Sequence, residues 1–141
     1  MRMNTQMNQV TYVVSSTIKR KALRSSLDAA VQTLCEKVRM NPTHPLTLKE
    51  MEILTGYSRR SLENEFHRQF GCSPVKWQQT TRLSMAHDYL ISRTGKVAIS
   101  DVACEFGFAS PSRFIAYYKR FFGETPNYTA TRMIYLRNKT D

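Results

Sequence analysis

The sequence predicts an all-α fold, and three observations predict it. Apolar residues recur at three- and four-residue steps, and no alternating strand pattern appears. Four helix-start signals fall within 80 residues, from Thr47 to Pro126. One stretch with the grammar of helix, tight turn and helix occurs twice.

The chain opens on residues 1–24, which carry Arg2, Lys19, Arg20, Lys21 and Arg24 and no acidic residue. Three readings fit: a mobile basic tail, a linker to a further N-terminal domain, or an arm lying against phosphates. Val10–Ser16 is β-prone but short. From Ser26 the pattern is helical, with Leu27, Ala30, Val31, Leu34, Cys35 and Val38 forming one stripe. Asn41-Pro42 and His44-Pro45 end that helix, because the residue before proline is pushed out of the helical region.

Thr47 followed by Glu50 forms a capping box, in which each side chain satisfies a free N–H of the first turn. Ser73-Pro74, Ser110-Pro111 and Thr125-Pro126 each place a hydroxyl cap before a proline at the first helical position. Proline is tolerated there because its missing N–H would have had no partner.

The repeat runs from Leu46 to Pro74 and again from Val97 to Pro126. Leu48 aligns with Ile99, Met51 with Val102, Gly56 with Gly107 and Tyr57 with Phe108. After one extra residue in the second copy, Leu62 aligns with Phe114, Phe66 with Tyr118, Phe70 with Phe122 and Gly71 with Gly123. In each copy a short helix ends at a glycine and a longer one starts at a serine cap. Between the copies, Pro74 to about Ser92 predicts a connecting helix with Leu83, Ala86 and Leu90 as its packing stripe. The expected organisation is a basic tail or linker over 1–24 and a folded domain over 25–135, followed by a C-terminal tail over 136–141. Within the domain, one helix-turn-helix unit covers 25–73, the connecting helix 74–94 and the second unit 95–135.

Composition narrows the function classes. Twenty-one Lys and Arg against 11 Asp and Glu give a net charge of +10. Nucleic acid is the default polyanionic partner of such a chain, with acidic membranes and ribosomes as rivals. No apolar run approaches the roughly 20 residues of a membrane span, and the N-terminus lacks signal-peptide features. Cys35, Cys72 and Cys104 form no C-x-x-C pair, and His44, His67 and His87 show no ligand spacing. The expectations are a cytoplasmic, nucleoid-associated protein without metal or cofactor, and cysteines that act as small buried hydrophobes. No nucleophile–base pair or phosphate-cradling loop points to an enzyme.

At about 100° per residue, Leu62, Phe66 and Phe70 mark the buried side of the first long helix. Arg60, Ser61 and Asn64 then face outward as base readers, since arginine pairs bidentately with guanine and asparagine with adenine. Glu63 borders that face and either accepts from cytosine N4 or forms a surface ion pair. Arg59, His67 and Arg68 suit phosphates. In the second long helix, Phe114, Tyr118, Phe121 and Phe122 mark the buried side. Ser112, Arg113 and Ala116 are its base-facing residues, and Ser110, Lys119 and Arg120 its phosphate contacts. Short Ser112 and Ala116 discriminate bases less than a bidentate pair does. The first unit is thus expected to specify sequence and the second to supply affinity.

The segment ISDVACEFGFASPSRFIAYYKRFFGETPNYTATR, Ile99 to Arg132, closely resembles the signature of the AraC/XylS family of bacterial transcription regulators. LTLKEMEILTGYSRRSLENEFHRQFGCSPVKW resembles the family's first helix-turn-helix unit, and RLSMAHDYL its connecting helix. The resemblance covers about residues 26–135. It implies about seven helices, tandem helix-turn-helix units joined by a long connecting helix, and binding of double-stranded DNA as a monomer. It also implies action on transcription, as an activator, through RNA polymerase. Ile115-Ala116 replaces usual polar or basic residues, and Met51-Glu52 replaces a small apolar pair. Twenty-four residues are too few for a sensing domain. The expectation is a small stand-alone regulator or the DNA-binding domain of a longer ligand-sensing one. A basic RNA-associated helical protein is the remaining alternative, but no RNA-binding signature appears.

Overall fold

A computed structural model describes residues 2–140, with side chains from Ser16 onward. Seven helices and no strand run through the described residues: α1 (Arg2–Met40), α2 (Leu48–Thr55), α3 (Arg59–Phe70), α4 (Pro74–Ser92), α5 (Ile99–Glu105), α6 (Pro111–Phe122) and α7 (Pro126–Thr140). The predicted cap signals start these helices. Thr47 accepts from the Glu50 N–H, and the Glu50 carboxylate accepts from the Thr47 N–H at 2.7 Å. Ser73 and Ser110 cap α4 and α6 by accepting from the Lys76 and Arg113 N–H groups, and Thr125 accepts from that of Tyr128. Among α2 to α7, α5 begins without a side-chain cap, at Ala98.

Two hydrophobic cores correspond to the two repeats. Val31, Leu34, Cys35 and Val38 of α1 pack with Met51, Leu62, Phe66 and Trp77 in the first. Leu83, Ala86 and Leu90 of α4 pack with Val102, Ala103, Phe106, Phe114, Tyr118 and Ala130 in the second. Aligned positions do the same work, since Leu62, Phe114, Phe66 and Tyr118 are all fully buried. α4 serves both units, contributing Trp77 near its start to one core and Leu83 to Leu90 to the other.

A polar junction also ties the units together. The Thr43 hydroxyl donates to the Glu105 carbonyl at 2.7 Å, bridging the α1–α2 loop of the first unit to α5 of the second. Gln78 on α4 both accepts from and donates to the Leu46 backbone, at 2.7 and 2.8 Å. Arg82, buried on the same helix, donates to the Phe106 and Gly107 carbonyls at 3.1 and 2.7 Å and lies over the Phe108 ring. Burial holds its pKa below the ordinary arginine value. Gly107, at φ +77°, sits so close to the Pro42 carbonyl oxygen that a side chain would collide with it.

Two expectations, on Phe121 and on the cysteines, are corrected, and the first and last helices run past the expected bounds. The segment over 1–24 belongs, from Arg2 onward, to a single helix with the stretch predicted from Ser26. The β-prone residues are helical within it, because local β-propensity is overridden inside a continuous helix. Residues 136–140 are the end of α7 rather than a tail, and Arg137 donates to the carbonyls of Ile91 and Arg93. Phe121 is 48% exposed, because Phe114, Tyr118 and Phe122 already fill the inner face of α6. Of the cysteines only Cys35 is buried, and burial lifts its thiol pKa to about 11; Cys104 is exposed.

Candidate nucleic-acid interface

The two longer helices of the repeats, α3 and α6, carry the candidate surface. α3 is started twice over. The Ser58 hydroxyl oxygen accepts from the Ser61 N–H, and the Glu52 carboxylate accepts from the Arg59 N–H at 2.7 Å. The glutamate that stands where a small residue was expected therefore satisfies an otherwise free donor at the tip of α3. Leu62 and Phe66 hold the helix inward, and Arg60, Asn64 and His67 are left on the solvent face. Ser61 is half-buried, and its hydroxyl accepts from that of Ser58 at 3.0 Å.

The remaining charges on α3 have partners within the protein. Arg59 donates to Glu63 at 3.0 Å, a surface ion pair of the kind weighed for Glu63, with a residue read from the sequence as a phosphate contact. Arg68 donates to Asp28 of α1 at 2.7 Å and to Glu65. Glu65 is buried, and hydrogen bonds from Arg68, aided by Gln69, pull its pKa down to about 2. Sequence reasoning missed this brace between α1 and α3. Its local signal was the i,i+3 spacing of Glu65 and Arg68. Its long-range half, Asp28, carries no such signal.

α6 presents a different surface. Ser110 is half-buried at the cap, and Ser112, Arg113, Ala116, Lys119 and Arg120 are exposed in sequence along the helix. It carries three cations and no carboxylate, whereas α3 carries three arginines and two glutamates. A buried chain of hydrogen bonds fixes α6 from behind. Tyr118 donates to Thr129 at 2.9 Å, and Thr129 donates to Glu124 at 2.7 Å. His87 meets the Tyr118 hydroxyl at 2.7 Å and stacks on Phe122 with centroids 4.2 Å apart. Arg132 closes the chain on Glu124 at 2.9 Å. Among the described residues no group of His, Cys, Asp and Glu could hold a metal, and no helix is long and apolar enough to cross a membrane.

Two capped helices with outward polar faces, each behind a glycine-ended short helix, form a tandem pair. The profile of a family described as a helix-turn-helix domain matches residues 54–132, more than half of the chain. A probable AraC family transcriptional regulator from Rhodopseudomonas palustris superposes with a TM-score of 0.65 at 30% identity, over 74% of this chain and 97% of that one. The chain belongs to the AraC-type helix-turn-helix family. An AraC-type regulator from Chromobacterium violaceum gives a TM-score of 0.66 at 28% identity, covering 79% of this chain and 95% of that one. Among curated relatives, the virulence regulon transcriptional activator VirF of Yersinia enterocolitica is 38% identical over 72 residues, 51% of this chain and 26% of that protein. A XylDLEGF operon transcriptional activator of Pseudomonas putida is 26% identical over 117 residues, 82% of this chain and 74% of that protein. The AraC-type chain thus spans about a quarter of VirF. It carries the DNA-binding domain of a transcription regulator.

Proposed function

We propose that this AraC-type domain reads two successive major-groove segments of duplex DNA, with α3 and α6 as its reading heads. The observation that carries the proposal is the pair of capped, outward-facing helices held by one rigid connector. At 1.5 Å per residue α4 is about 28 Å long, and major-groove faces on one side of B-DNA recur every ~34 Å. Arg60 and Asn64 are the base readers, long enough and unpaired enough to reach guanine and adenine edges. Ser61, Glu63, Ser112, Arg113 and Ala116 flank the bases with shorter or shared contacts. His67, Ser110, Lys119 and Arg120 bind phosphates. Arg59 and Arg68, tied to Glu63, Glu65 and Asp28, shape the first head and add only part of their charge.

In this reading α3 supplies sequence preference and the carboxylate-free α6 supplies affinity. Tandem heads in one chain remove the need for a second copy, so the domain binds as a monomer. Regulation is exerted on the chromosome in the cytoplasm, as activation through contact with RNA polymerase, in line with the activators it resembles. Selection of bound sequences from random duplex DNA tests the proposal. Two short motifs about one turn apart are expected. No enrichment, or equal retention on duplex RNA, would overturn it.

A further inference from the structure

The middle of α1 lies beside the head that α3 presents. Asp28 meets Arg68 at 2.7 Å and Gln32 meets Gln69 at 3.1 Å, so this part of α1 runs along the last turns of α3. Further toward its N-terminus, Ser26 accepts from the Tyr57 hydroxyl at 2.7 Å, just ahead of α3. Leu23 and Arg24 line an open groove of about 370 Å³ whose opposite wall includes Ser61 and Asn64. The two helices are thus parallel. α1 extends N-terminally beyond Ser26, the residue that meets Tyr57 ahead of α3.

Its chemistry changes at that boundary. The α1 face that buries Val31, Leu34, Cys35 and Val38 carries Arg24 and Arg20 on the preceding turns, with Lys21 at its edge, at about 100° per residue. Arg20, Lys21 and Arg24 are exposed, and no acidic residue occurs from Met1 to Leu27. At Arg20 and Arg24 the core-facing stripe turns cationic and exposed, which suits an anionic partner. Beside a reading head, that partner is the polyphosphate backbone.

We propose that Arg20 and Arg24 bind phosphates of the duplex just outside the segment read by α3, making the middle of α1 an additional DNA-gripping element. This inference rests on the two-headed reading above. The test is the double variant Arg20→Gln/Arg24→Gln in the full chain, titrated against the selected site over a range of salt. Glutamine keeps helix propensity and removes charge. The slope of log affinity against log salt should fall by about 1.8, at roughly 0.9 per phosphate. Affinity lost between 50 and 200 mM salt should then shrink by about tenfold. Backbone protection at the α3-side edge of the footprint should disappear, while selected bases stay the same. Lys19→Gln, which removes a charge about 100–140° away round the helix, should leave slope and footprint intact. An unchanged slope in the double variant, tighter binding, or an equal loss from Lys19→Gln would overturn the inference. Failure of the unaltered chain to select any sequence would instead overturn the two-headed reading.

Discussion

Replacing Gly56 and Gly107 by alanine, one at a time, isolates the contact between the two units. The glycines are aligned in the repeat and share a backbone conformation, at φ +74° and +77°. Each alanine meets the same local strain, about 1–2 kcal/mol for an L-residue in the left-handed region. Around Gly56 an added Cβ touches nothing within 4 Å. At Gly107 it would run into the Pro42 carbonyl oxygen and lie 3.1 Å from both Arg82 Nη1 and Pro45 Cδ. The carbonyl is backbone, and Thr43 beside it is held to Glu105, so the loop cannot yield cheaply. Forcing atoms into such a packed site adds about 1–3 kcal/mol. Gly56→Ala should therefore lose about 1–2 kcal/mol and Gly107→Ala about 2–5 kcal/mol of unfolding free energy. Urea denaturation of both variants, extrapolated to water, reads the difference. Equal losses would refute the idea that the α1–α2 loop is pressed against the second turn.

Four further outcomes are expected. Arg60→Ala and Asn64→Ala should each weaken specific binding by roughly 1–3 kcal/mol and relax preference at one base, and a competition assay with unchanged preference would remove them as readers. Arg120→Ala should weaken binding to every sequence and lower the salt slope by about 0.9, so an unaltered slope argues against a phosphate contact. Glu65, whose carboxyl is held below its ordinary 4.5 at about 2 by Arg68, stabilises the fold above pH 4.5. That contribution is lost as pH falls from 4.5 toward 2, and urea midpoints of Glu65→Gln should decline less steeply over that window. Thiol titration of the native protein should modify exposed Cys104 first and buried Cys35 last; early loss of Cys35 would mean that the first core opens readily.

Much of the fold was legible because its signals are local. A hydroxyl before proline, or threonine three residues ahead of glutamate, acts within one helical turn, so Thr47, Ser73, Ser110 and Thr125 announce their helices directly. The repeat was legible because two cores of the same shape demand the same residues at the same spacing. The faces of α3 and α6 followed from periodicity, apart from Phe121, whose exposure depends on how many rings the second core can hold. A surface ion pair for Glu63 was foreseen but not its partner Arg59, although the two stand at an i,i+4 spacing. Asp28 was not, because its partner Arg68 lies 40 residues away and only the packing of α1 on α3 brings them together.

The sequence by itself determined the all-α class, the helix starts, the doubling of the unit and the outward faces of α3 and α6. Each depends on interactions within one or two turns, which the order of residues specifies. Tertiary structure decided how those parts stand to one another. It turned Gly107 from a turn residue into the seat of the Pro42 loop and tied Arg68 to Asp28 of α1. It also set Arg24 of α1 beside the first head. Those outcomes depend on which surfaces meet when the chain closes over long separations, and no local pattern records them.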